Sequence, residues 1–148
     1  YFLFTHKHPD HYSKKMLNQI KSKHKGNVFG KWNINEFAKF NTTFTDFTIE
    51  TFETKHHFSF KHYSYLITWH GKKIYFSGDT ESAVTIANVE QIDWAFITTW
   101  IWTDAKENNL QINANMFAIY HLYPDQSVTN SMPEKIKLLN KQGERWSL

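Results

Sequence analysis

Two periodicities run through the chain. From Phe44 to Thr54 the positions split by alternation, with Thr45, Phe47, Ile49, Thr51 and Glu53 on one side and Phe44, Asp46, Thr48, Glu50 and Phe52 on the other. A period of two belongs to an extended strand, whose successive Cβ atoms point to opposite faces. Tyr63 to Trp69 and Lys73 to Ser77 predict two more strands, joined through the turn signal His70-Gly71 as a hairpin. Tyr1 to Thr5, Asn27 to Gly30, Trp94 to Thr98 and Asn115 to Tyr120 read as further short strands. Helical spacing governs Tyr12 to His24, with Met16, Leu17 and Ile20 on one face and lysines opposite. Asn33 followed by Glu36 resembles a capping box opening a short helix through Phe37 and Phe40. Glu81 to Val89 and Pro133 to Gln142 are predicted as helices as well. Strands and helices interleave throughout, without linker, repeat or low-complexity tract, so residues 1–148 are expected to form one mixed α and β domain.

Composition narrows the chemistry. Thirteen Phe, seven Tyr and six Trp in 148 residues predict an aromatic core and argue against disorder. The net charge of +3 is a mild bias toward anions. The basic residues are dispersed apart from Lys14, Lys15, Lys21, Lys23 and Lys25, which read as a solvated helix face and not as a nucleic-acid patch. The chain has no cysteine, which excludes disulfides, thiolate zinc sites and a Cys nucleophile. No apolar stretch approaches the length of a membrane span, so a soluble protein with no membrane partner is expected. The chain opens at Tyr1 without an initiator Met, so a segment before it is expected to be missing, and the compartment is left open.

The densest chemistry lies in Thr5-His6-Lys7-His8-Pro9-Asp10-His11, where three histidines and an aspartate occupy six positions just after an apolar strand. Neutral imidazole is the commonest ligand for zinc and related ions, and carboxylate is its hard partner. A tight loop at the end of a rigid strand can aim several such side chains at one point. Scattered histidines such as His24 and His70 fit no pattern and read as solvent-facing.

The spacing His-x-His-x-Asp-His resembles the signature of the metallo-β-lactamase superfamily, and later segments resemble it in order. Ile74-Tyr75-Phe76-Ser77-Gly78-Asp79-Thr80 looks like the strand ending in Gly-Asp-Thr, and Phe117-Ala118-Ile119-Tyr120-His121 like the strand that delivers the last His. Thr54-Lys55-His56-His57 lies where that family places another metal-binding His. The resemblance implies a dinuclear site. His6, His8 and one member of the His56-His57 pair would hold one ion, with His62 a lesser candidate for that place. Asp10, His11 and His121 would hold the second ion, and Asp79 would bridge the two. Zinc suits this ligand set best, with manganese or iron compatible. By the same resemblance, Asp10 would be the carboxylate that orients the attacking water and handles its proton.

The resemblance further implies an α+β, four-layer αββα sandwich. Relatives carry several strands before the His-rich loop, so this sandwich is expected to be truncated at its N-terminus. Its open sheet edge would favour association. The Gly-Asp-Thr form and the absence of a Cys ligand point away from true β-lactamases. A small-molecule ester, lactone or amide is the first substrate reading. A metal-dependent nuclease or phosphodiesterase is the second, and a non-catalytic metal-binding or interaction module the third. Trp94, Trp100 and Trp102 follow the Asp79 strand, where the family often places substrate-contacting loops, although core packing explains them equally.

Overall fold

The computed structural model describes residues 1–9, 12–43, 45–57, 59–124, 126 and 134–147. Its large sheet has six strands in sequential order. These are β3 (Phe47–Thr54), β4 (His62–Trp69), β5 (Lys72–Phe76), β6 (Ile92–Thr98), β7 (Ala114–Tyr120) and β8 (Ile136–Leu138). The first three run antiparallel, and β5 through β8 run parallel. A smaller parallel pair joins β1 (Phe2–Leu3) to β2 (Val28–Phe29).

The predicted hairpin is present, with Trp69 opposite Lys72. His70 and Gly71 take φ of 47° and 75°, both positive as a two-residue turn matched to strand twist requires. In β3, Ile49 is buried against Tyr63 and Tyr65, while Phe52 packs on the opposite face beside Tyr75. That is the alternation read from the sequence, although Phe44, where the strand was expected to begin, lies outside the described residues.

The sheet separates two apolar layers. On one face Leu66, Tyr75, Ala95, Ile97, Phe117 and Ile119 meet α3 (Val84–Ala87) and α4 (Thr99–Glu107) through Ile86, Ile101 and Ala105. On the other, Tyr63 and Tyr65 meet Phe29 of β2 and Phe37 of α2 (Glu36–Thr43). Further along that face Ile74, Trp94 and Ala118 pack together with Phe76 and Phe96. The order is therefore helices, large sheet, then small sheet with α2. Ile97 has no exposed surface in the first layer, so Ile97→Ala is expected to cost about 2–5 kcal/mol in urea unfolding. A loss under about 1 kcal/mol would show that this face is not the core.

Several elements differ from the sequence reading. Residues from Ile136 to Leu138 extend along β7 as a parallel strand instead of forming the helix expected over Pro133 to Gln142. Ile136 is buried, Leu138 packs on the same layer and Leu139 turns to the opposite one, a period of two that satisfies the open edge of β7. Pro133 lies outside the described residues. Helix α4 was not anticipated, because its Trp100-Ile101-Trp102 run resembles a strand or loop until Ile101 and Ala105 are seen buried one turn apart. In α1 (Lys14–His24) Leu17 is buried, but Met16 stays 59% exposed, and the lysines face solvent as expected. Asn33 spends its side chain on Gly30, Val28 and Glu36 in the turn before α2, which starts only at Glu36. No described helix is long and apolar enough to cross a membrane.

Candidate metal centre

Strand ends assemble the site. The segment leaving β1 carries His6 and His8, and it is held to β4 by Tyr63 N–H donating to the Thr5 carbonyl at 3.0 Å. The segment leaving β3 carries His56 and His57. The turn leaving β5 carries Asp79, and the end of β7 carries His121.

His6, His8 and His56 each offer a ring nitrogen, and these three atoms all lie within 4.8 Å of one another. His56 Nε2 and His8 Nδ1 stand 3.3 Å apart. Two nitrogens held tetrahedrally by zinc at bonds of about 2.0–2.1 Å are separated by about 3.3–3.4 Å, so this pair already has the spacing of shared ligands. His6 is 2% exposed, and its Nδ1 sits 2.9 Å from Thr5 Oγ1. With Nδ1 donating to that hydroxyl, Nε2 keeps its lone pair and faces the Asp79 carboxylate at 3.6 Å. His56 has Glu81 Oε1 near its Nδ1 at 3.4 Å, without a hydrogen bond between them.

Of the pair left open by the sequence, His56 joins His6 and His8. The side chain of His57 is 74% exposed, its Nδ1 lies 3.9 Å from Glu81 Oε2, and its backbone N–H donates to Glu81 Oε1 at 3.0 Å. Asp79 is 5% exposed, and its Oδ2 lies 3.6 Å from His6 Nε2 and 3.8 Å from His121 Nε2. It thus stands between the histidine cluster and His121. Asp10 and His11 lie outside the described residues.

The turn that presents Asp79 is anchored from below. Gly78 has φ +60°, and its carbonyl accepts the Tyr120 hydroxyl at 2.6 Å and the Ser77 hydroxyl at 2.7 Å. Ser64 donates to the Ser77 carbonyl at 2.6 Å. Thr80 Oγ1 donates to the Lys55 carbonyl at 2.9 Å, which ties the Asp79 turn to the His56 segment. Burial pushes the Tyr120 phenol well above its ordinary range, so it acts as a neutral donor.

His62 lies fully buried at the start of β4 with its ring 5.1 Å from His6 and 5.7 Å from His56. Its Nε2 accepts the Asp79 backbone N–H at 2.9 Å, and its Nδ1 meets Thr54 Oγ1 at 2.6 Å. Both nitrogens are engaged, so His62 is not a third ligand candidate. Burial, reinforced by His6, His56 and His8, pulls its pKa down from 6.5 to about 3, and the ring is neutral. Glu81, Thr54 and Tyr120 were missed at the level of sequence, and nothing in their local pattern marks them. Trp100 donates to the Thr80 carbonyl at 2.9 Å and meets His121 edge-on at 5.0 Å, while Trp102 and Trp94 pack in the two apolar layers.

No protein-family profile and no curated protein sequence matches the chain. Solved structures do. A protein of Parabacteroides distasonis described as a candidate metal-dependent hydrolase superposes with a TM-score of 0.61 at 22% identity, over 84% of this chain and 66% of its own. Igni18, a metallo hydrolase of Ignicoccus hospitalis, gives 0.54 at 18% identity over 82% and 62%. The metallo-β-lactamase fold protein YhfI of Bacillus subtilis gives 0.52 at 19% identity over 85% and 65%. The chain has the metallo-β-lactamase fold, and it spans just under two thirds of the length of these proteins.

Proposed function

We propose that this chain carries the metal centre of a metal-dependent hydrolase acting on a small-molecule ester, lactone or amide. The observation that carries the reading is the convergence of His6, His8 and His56 within 4.8 Å of one another, beside the buried carboxylate of Asp79. The donor set fits zinc, since imidazole and carboxylate are its habitual ligands and no thiolate is required. His6, His8 and His56 would hold one ion, and Asp79 would be shared with a second held by His121. Asp10 and His11 are assigned to that second ion by the motif alone. When bound at these residues, divalent ions would lower the pKa of a water toward neutrality and polarise the substrate's carbonyl oxygen.

The chain's own groups do the rest. Thr5 Oγ1 orients the His6 ring through Nδ1, and the Glu81 carboxylate stands 3.4 Å from His56 Nδ1. Asp10, placed by the motif, would orient the nucleophile and accept its proton. The small-molecule preference rests on the solvated character of the lysine helix and on the absence of a basic patch in the sequence.

The test is a zinc-reconstituted sample screened on esters, lactones, amides and a chromogenic phosphodiester, with and without chelator. Chelator-sensitive hydrolysis of a carbonyl substrate is expected, whereas turnover of the phosphodiester alone would move the reading to a nuclease. His56→Ala is expected to cut turnover by at least about tenfold, and His57→Ala to leave it within about twofold. Equal losses in the two variants would contradict the placement of His56.

A further inference from the structure

The buried histidine that binds no ion under the reading above is the most constrained group around the site. His62 has no exposed surface, lies between the β3 end and the β5 turn, and uses both ring nitrogens. Because Nε2 accepts the Asp79 N–H, it carries no proton, and the neutral ring must carry its proton on Nδ1. That proton points at Thr54 Oγ1, only two residues before His56. One ring therefore joins the two arms that converge on the metal: the backbone of Asp79 on one side and the strand end feeding His56 on the other. Gly78 leaves the space it needs, for a Cβ there would lie 2.5 Å from His62 Nε2.

We propose that His62 is a positioning residue, locked in the Nδ1–H form, that fixes the Asp79 turn and the His56 arm in register so that their side chains reach one centre. The inference rests on the reading that His6, His8, His56 and Asp79 hold metal. The physical reason is preorganisation. A ligand whose backbone is already pinned loses less freedom on binding, and groups that orient metal ligands typically change affinity by about 10- to 100-fold when removed.

The experiment measures zinc affinity by competition with a chromophoric chelator for the parent, His62→Ala, His62→Gln and Thr54→Val. A loss of about 10- to 100-fold is expected for His62→Ala. His62→Gln should recover most of it, because its amide can accept from Asp79 N–H and donate to Thr54. Thr54→Val removes the Nδ1 partner and a longer 3.4 Å contact with Ser64 Oγ, should fold, and is expected to weaken binding severalfold, so it carries the test if His62→Ala does not fold. Nitrogen-15 spectra of the imidazoles add a readout that mere packing would not give. His62 should show a protonated Nδ1 and an unprotonated Nε2 before and after zinc, while nitrogens of His6, His8 and His56 shift. Zinc bound by the parent with equal affinity in folded His62→Ala and in Thr54→Val overturns this inference alone. A zinc-induced ligand shift at His62 Nε2 also overturns it, by making the residue a ligand. A parent that binds no zinc overturns both the inference and the reading beneath it.

Discussion

Gly78→Ala is expected to destabilise the protein by about 2–5 kcal/mol, the sum of a left-handed backbone at a non-glycine residue and overpacking in a filled interior. Its φ of +60° is one that L side chains rarely adopt. The added Cβ would lie 2.5 Å from His62 Nε2, 2.7 Å from His62 Cε1 and 2.8 Å from Thr5 Cβ. None of these neighbours can yield cheaply. His62 is pinned at both nitrogens, and the Thr5 carbonyl is bonded to β4. For a domain whose total stability is about 5–15 kcal/mol, such a loss is a large fraction of the whole. Urea unfolding of the metal-free protein checks it, and a midpoint equal to the parent's would mean that the turn before Asp79 is not built as described. The surviving folded fraction should also bind zinc more weakly, since the same turn presents the carboxylate.

The second large effect is on catalysis. Asp79→Ala is expected to abolish metal-dependent turnover, lowering kcat/KM by at least about a hundredfold. Asp79 is the one described carboxylate within 4 Å of both His6 and His121, so its loss removes the group shared between the two halves of the site. Truncation to alanine leaves the backbone N–H to His62 in place, and the fold should persist. Circular dichroism and melting would establish that, and parent-like turnover with unchanged metal content in a folded variant would refute the bridging role.

Much of this site could be read from the chain because strand ends are a local feature. The alternation from Thr45 to Glu53, the His70-Gly71 turn and the apolar run before Ser77-Gly78-Asp79 each encode their element within a few residues. His6, His8 and Asp79 come soon after strands, so knowing the strands located the candidate ligands. What the sequence could not rank was His56 against His57, because adjacent residues in an irregular segment differ only in which way the backbone turns them. Here Glu81 draws His57 outward through its N–H, a contact across twenty-four positions that no local pattern announces.

The same reasoning explains the misses. His62 looks like a weaker candidate ligand in sequence, since a histidine near a metal motif carries no mark of its hydrogen-bond partners. Only the tertiary approach of Asp79 N–H and Thr54 shows that both of its ring nitrogens have partners. The strand at Ile136 to Leu138 was hidden because its three residues match helical and extended spacing alike, and the open edge of β7 decides between them. Helix α4 was obscured by its tryptophans, which suit a strand or a binding loop in isolation. In the fold they serve packing and the Asp79 turn together, with Trp100 bonded to the carbonyl of Thr80.

Whether these histidines hold metal can be read directly. The most direct measurement is metal content per chain by mass spectrometry, after purification without chelator and reconstitution with zinc, for the parent and for His6→Ala/His8→Ala. About two ions per parent chain are expected, and their loss in the variant. A parent that holds no ion after reconstitution with zinc or manganese would contradict it.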